Sequence, residues 1–261
     1  MILGLLTLLL LWVIGREPIL AQPVRTPLTE VVRLVAVYPT FLDRVDGNLL
    51  IWKDGTRMPI DDGRGPKSHE TLLATADIKD MFFLAYPLGR MSGSPGRNAD
   101  PGRARNTAFF NKMYGDCQAG GVANNLVDVT WLPKKWGKSL KVTRVNDVSS
   151  KLAAVSAELD GLPSKFDEFL FPAAGTYVCR PIAGTTRVSA HGHGIAIDIA
   201  TKRAHYWRWS GRTGEPIPYR NAIPYEIVEI FERHGFIWGG KWYHYDTMHF
   251  EYRPELLATS P

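Results

Sequence analysis

Residues 189–198 read Ser189-Ala190-His191-Gly192-His193-Gly194-Ile195-Ala196-Ile197-Asp198. Alternation over the last four predicts a short strand, with Ile195 and Ile197 toward one side and Ala196 and Asp198 toward the other. A carboxylate on an otherwise apolar strand is costly to bury unless a cation pairs with it. A salt bridge from a nearby arginine is one such partner and a metal ion is another. His191 lies seven residues before Asp198, an odd spacing that places the two on opposite faces of an unbroken strand. Gly192 and Gly194 allow the backbone to turn, so that both side chains can converge on one ion.

A second stretch runs Trp242-Tyr243-His244-Tyr245-Asp246-Thr247-Met248-His249-Phe250-Glu251-Tyr252. Met248, Phe250 and Tyr252 alternate toward a core, while His249 and Glu251 face the other way. Asp246 stands where this strand begins and can approach the same centre from the side. Six of the seven histidines fall between His191 and His249. Histidines with nearby carboxylates suit a nitrogen- and oxygen-ligated transition metal, zinc first among them. A core histidine with a turn or capping aspartate is the plain alternative for the second stretch.

The pattern Ser-x-His-x-x-Gly-x-Ala-x-Asp (Ser189, His191, Gly194, Ala196, Asp198), followed by Asp-x-x-His-Phe (Asp246, His249, Phe250), resembles the zinc D-alanyl-D-alanine carboxypeptidase and L-alanyl-D-glutamate endopeptidase family of peptidoglycan hydrolases. The segment Gly235-Phe-Ile-Trp-Gly-Gly-Lys-Trp242 resembles the endolysin-like branch. The likeness is strong from about Arg180 to Tyr252. Before that it is limited to pieces such as Asp100-Pro-Gly-Arg103 and Tyr114-Gly115. The resemblance implies that His191, Asp198 and His249 bind Zn²⁺ and leave one position open for water. It makes Asp246 the catalytic carboxylate that takes a proton from water and passes it to the leaving amine. Arg180 takes the place of the substrate arginine, able to hold a carboxylate or carbonyl oxygen or to stabilise the oxyanion. Ser189 is expected to hydrogen-bond substrate or orient the site. Glu251 could orient the His249 ring as an acceptor, and Trp238 and Trp242 either line the cleft or pack. His193 is a less favoured ligand than His191. His244 either assists the oxyanion or is simply exposed. No Gly-x-Ser-x-Gly elbow surrounds Ser189, which argues against a serine nucleophile.

The fold class expected is α+β, a small antiparallel sheet carrying the ligands with helices packed on one side, resembling the hedgehog and D-Ala-D-Ala zinc peptidase fold. Residues 146–255 form the zinc peptidase core. Residues 22–145 are either an extension wrapped around the sheet or a substrate-binding lobe. Within them Val31–Tyr38 and Leu49–Trp52 read as strands, Asp54-Gly55 as a turn, and 69–84 as a helix or helical turn. Asn146-Asp147 opens a helix that ends near Gly161, Tyr177–Arg180 reads as a strand, and a further helix spans about Pro224 to His234. The loop 89–105, with four arginines, four glycines and two prolines, is either a carboxylate grip or a mobile linker.

The chain has 261 residues, 45% apolar and 22% charged, which excludes wholesale disorder, and its 24 glycines and 18 prolines disfavour a helical bundle. A net charge of +5 is a mild excess without the dense basic runs of a nucleic-acid binder. Residues 1–15 are uncharged and strongly apolar, too short for a membrane span of about 20 residues and suited to a secretion signal. Residues 1–21 are therefore expected to be a signal peptide cleaved after Ala21, or an uncleaved anchor, since the usual leading positive charge is missing. Cys117 and Cys179 either pair in an oxidising compartment or remain buried thiols. The expectation is an exported bacterial enzyme of the periplasm or cell envelope, with peptidoglycan peptides as partners, no nucleic acid, and no stable membrane span in the mature chain unless the signal is uncleaved. It would be a D,D-carboxypeptidase or an L-Ala-D-Glu endopeptidase. The alternative is a non-catalytic cell-wall-binding protein with a structural zinc.

Overall fold

Val31–Tyr38 overturns its sequence reading. Its branched aliphatic residues predict a strand, but in the computed structural model, which describes residues 27–210 and 216–257, it lies in helix α1 (Pro27–Val37) and the residue after it. Val31 and Leu34 lie one turn apart and are fully buried, and Tyr38 follows one turn later. Glu30 and Arg33 pair at 2.7 Å on the same helix. Helical burial geometry outweighs the modest strand preference of valine. The apolar stretch 1–21 lies outside the described residues.

From α1 the chain enters an antiparallel sheet, β1 (Leu42–Asp46), β2 (Leu49–Trp52) and β3 (Arg57–Pro59), then α2 (His69–Thr75) and a 3₁₀ turn at Lys79–Phe82. Residues 89–106 have no regular secondary structure, and α3 (Thr107–Tyr114) follows, capped by Asn106. A hairpin of β4 (Leu126–Trp131) and β5 (Lys138–Thr143) is covered by α4 (Val148–Asp160). The short α5 (Asp167–Leu170) leads to β6 (Ala196–Asp198). Helix α6 (Tyr225–Arg233), β7 (Phe236–Trp238), β8 (His249–Tyr252) and α7 (Pro254–Leu257) complete the order. The third sheet runs β6-β8-β7, antiparallel throughout. Mixed helices and small antiparallel sheets make this an α+β fold.

A single cluster of buried apolar side chains runs from Val31 and Trp52 through Trp131 and Leu152 to Ile197 and Phe250. The α6 stripe of Ile227, Ile230 and Phe231 packs toward β7, and Phe231 stacks on Phe250 at 3.8 Å between ring centroids. Residues 177–180 are a second correction. They form no strand: the segment is tied by a disulfide from Cys179 to Cys117 and by two backbone bonds, Val178 N to His191 O and Ser189 N to Arg180 O. Among the described residues no helix is long and apolar enough to cross a membrane.

Candidate metal centre

Strands β6 and β8 pair so that Asp198 lies directly opposite His249, and Ile197 opposite Phe250. The pleat therefore sends Ile197 and Phe250 into the core and presents Asp198 and His249 on the other face. His191 arrives from a 3₁₀ turn (Ala190–His193) that Ser189 caps, its Oγ accepting from the His191 N–H at 3.4 Å. Two glycines make this turn possible. A Cβ on Gly192 would meet Val188 at 2.6 Å, and Gly194 has φ +68° with Thr143 N only 2.9 Å from where its Cβ would stand.

The three side chains meet. His191 Nε2 is 3.2 Å from His249 Nδ1 and 3.2 Å from Asp198 Oδ1, and His249 Nδ1 is 2.9 Å from Asp198 Oδ1. Tetrahedral coordination with bonds of 2.0–2.1 Å places neighbouring donors about 3.3 Å apart, so this triangle has the dimensions of one face of such a site. The far nitrogens are held as well. His191 Nδ1–H donates to the backbone oxygen of Thr176, and His249 Nε2–H donates to Glu251 Oε2 at 3.3 Å. With those nitrogens donating, a neutral ring turns its lone pair inward, the tautomer a metal requires. Thr176 is itself fixed by its hydroxyl, which donates to Lys141 O at 2.6 Å.

Glu251 belongs to a buried network. It accepts from Arg105 at 2.9 Å and Arg253 at 3.0 Å; Arg253 also reaches Glu255, which accepts from Tyr38 OH at 2.6 Å. Glu251, Arg253 and Glu255 are all 0% exposed. Burial opposes ionisation of Glu251, but Arg105 outweighs it and holds the carboxyl well below its ordinary range.

The electrostatics of the centre favour positive charge. Burial works against a charged Asp198, yet the His191 and His249 imidazoles outweigh it and hold the carboxyl well below the usual carboxylate range. Burial likewise opposes the His249 imidazolium, yet hydrogen bonds to Asp198 and Glu251 push the ring up to about 10. Both shifts describe a pocket that gathers a cation between these groups, a demand that a divalent ion meets more fully than a proton. Asp246 stands apart. Its Oδ1 is buried without a hydrogen-bond partner, and burial pushes its carboxyl up to about 6.

A cleft of about 260 Å³ opens over the centre, lined by Arg103, Arg105, Arg180, Ser189, His244 and Asp246 together with Tyr206, Trp209 and Trp242. Arg180 is exposed at its edge. His193 does not join the ligands: its Nδ1 lies 3.1 Å from Gly115 O and its ring packs on Phe110 and Tyr114. Trp238 packs in the core and Trp242 borders the cleft.

Sequence reasoning missed how the loop 89–105 contributes. Residues 99–105 lie across the second motif like a strap: Tyr243 N donates to Ala99 O, Trp242 Nε1 to Pro101 O and Arg253 Nη1 to Gly102 O. Asp100 gathers His244 (N–H at 2.9 Å, Nδ1 at 2.6 Å), His69 at 3.0 Å and Arg103 at 3.3 Å. The only signal for this in the sequence was the resemblance of Asp100-Pro-Gly-Arg103. Burial opposes ionisation of Asp100, but His244 and Arg103 bring its carboxyl down to about 2 from the usual 3.8. A depressed folded-state pKa adds stability above the unfolded value that is lost as pH falls through the folded one. Asp100→Asn is therefore expected to cost about 1–3 kcal/mol at neutral pH. The difference in melting temperature from the parent should shrink below pH 4 and vanish near pH 2.

Two further donor groups occur among the described residues. In Asp61, Asp62 and Asp77 the charge is met by the Lys67 ammonium, 2.7 Å from Asp62 and 3.1 Å from Asp77. In His69, Asp100 and His244 it is met by Arg103. The His191, Asp198 and His249 group has no such basic side chain among its partners, so its donors fit a metal ion best.

Residues 183–252 match the family model of D-alanyl-D-alanine carboxypeptidase. The match covers His191, Asp198, Asp246, His249 and Glu251, and the carboxypeptidase-like segment includes the whole β6-β8-β7 sheet. It excludes Arg180 and the strap. No curated protein and no solved structure matches the chain.

Proposed function

We propose that the protein is an exported zinc peptidase that hydrolyses amide bonds in peptidoglycan stem peptides, either as a D,D-carboxypeptidase or as an L-Ala-D-Glu endopeptidase. The observation that carries this reading is an Asp246 carboxylate, its buried Oδ1 without a hydrogen-bond partner, in the same cleft as a donor triangle of zinc dimensions. A structural metal site has no use for such a carboxylate.

His191, Asp198 and His249 would hold the ion, with Thr176 and Glu251 fixing the two rings. When bound, zinc supplies Lewis acidity for the scissile carbonyl and the attacking water. Asp246 accepts a proton from that water and delivers it to the leaving nitrogen, so that a carboxylate and an amine separate. Burial raises the proton affinity of Asp246 into the range where both transfers proceed near neutral pH. Arg180 donates to the carbonyl oxygen as negative charge builds there. Ser189 keeps His191 in place through its cap. The Cys117–Cys179 disulfide supports export to an oxidising compartment. The shared core and the strap contacts support reading residues 22–145 as an extension wrapped around the zinc-binding sheet.

Incubation of the purified protein with muropeptides is expected to release products whose masses identify the bond cut. A chelator should abolish the reaction and added zinc should restore it. The His249→Ala variant should lose metal and activity together. Intact substrate in the zinc-loaded sample would overturn the peptidase reading, and metal retained in His249→Ala would overturn the ligand set.

A further inference from the structure

Three arginines line the cleft, and they are not equivalent. Arg105, also in the lining, is neutralised by Glu251 at 2.9 Å. Arg180 is exposed. Arg103 differs from both: its side chain is 17% exposed and its guanidinium lies over the Trp242 indole, 5.5 Å from the ring centroid. Trp242 in turn is 5.6 Å from the His249 ring, so a single indole separates this guanidinium from the centre. Asp100 holds Arg103 only by a 3.3 Å bond, its shorter bonds going to His244. The guanidinium is oriented, but its fork is left with donors for another anion.

Both candidate bonds offer that anion in one place. In D-alanyl-D-alanine the leaving nitrogen sits on a carbon that bears the terminal carboxylate. In L-alanyl-γ-D-glutamate the stem continues through the γ-carboxyl, which leaves the α-carboxylate free on the carbon next to the leaving nitrogen.

We infer that Arg103, carried into the cleft by the strap, binds the α-carboxylate of the residue whose amine is released, and so selects substrates in which that carboxylate is free. The inference rests on the peptidase reading above and adds a specificity residue outside residues 183–252, the segment that the family model matches. Of the three cleft arginines, Arg103 is oriented by Asp100 and Trp242 yet engages its carboxylate partner through a single long bond. A bidentate guanidinium–carboxylate pair suits that position, whereas a lysine would contribute a point charge without the fork.

The test uses two matched pairs of peptides. One pair is N-acetyl-L-Lys-D-Ala-D-Ala as the free acid and as its C-terminal amide. The other is L-Ala-γ-D-Glu-L-Lys with its α-carboxylate free or amidated to D-isoglutamine. For the pair it cleaves, the parent protein is expected to favour the free acid by ~10–100-fold in kcat/KM, the value of a charge-assisted hydrogen bond in a desolvated site. Arg103→Gln should bring the two forms within about threefold of each other, and Arg103→Lys should fall between. Arg180→Gln should slow both forms and leave their ratio standing. An unchanged ratio in Arg103→Gln, or no preference in the parent, overturns the inference.

Calorimetric titration of the same peptides onto the metal-loaded Asp246→Ala protein reads the preference without turnover. Acid-selective binding that Arg103→Gln removes upholds the role of Arg103 even if no peptide is hydrolysed, in which case the peptidase reading alone falls. Equal affinity for acid and amide overturns the inference whatever the activity.

Discussion

Asp246→Ala is expected to lower kcat by about 10²–10⁴-fold, the usual contribution of a positioned general acid–base group, while zinc stays near one per chain. The two readouts separate because Asp246 is outside the donor triangle: His191, Asp198 and His249 close on one another within 3.2 Å without it. Its Oδ1 makes no hydrogen bond, so the substitution strands no buried partner of that atom. The fold should therefore tolerate the change. Metal analysis beside single-turnover kinetics on muropeptides decides the matter. Zinc lost along with activity would make Asp246 a ligand, and activity retained would remove it from the reaction.

Glu251→Ala should cost about 3–5 kcal/mol of stability, because it takes from Arg105 and Arg253 the buried carboxylate they share and leaves Glu255 to Arg253. For a domain of this size that corresponds to a melting point lowered by roughly 10 °C. The same substitution removes the acceptor that fixes the His249 ring. Zinc affinity should fall by about 10–100-fold. Glu251→Gln keeps the shape and an acceptor oxygen, and should recover part of the zinc affinity while remaining less stable than the parent. A melting point and zinc affinity both unchanged in Glu251→Ala would show that the network carries neither load.

The two histidine- and carboxylate-bearing motifs were legible because their patterning is local. Alternation along Ile195–Asp198 and along Met248–Tyr252 assigned the outward faces correctly, and glycines 192 and 194 announced the turn that brings His191 round. The helices at 148–160 and 225–233 were readable for the same reason, each burying a stripe at helical spacing. Val31–Tyr38 was misread because composition favoured a strand while Val31, Leu34 and Tyr38 also satisfy a helix; only the surface they pack against chooses between the two. The segment 177–180 was misread because its composition does not say what it pairs with, and in the fold it bonds only at two points to residues 189–191.

By itself, the order of residues determined which side chains can bind a metal and which face of each strand they occupy, since a two-residue repeat and a glycine turn act over a few bonds. Tertiary structure alone decided that Asp198 stands opposite His249, that Thr176 fixes the His191 ring, and that the strap lays Asp100 and Arg103 beside residues some 140 positions later in the chain. Those contacts depend on buried charges finding partners when the core closes, and no local pattern encodes which distant partner will be there.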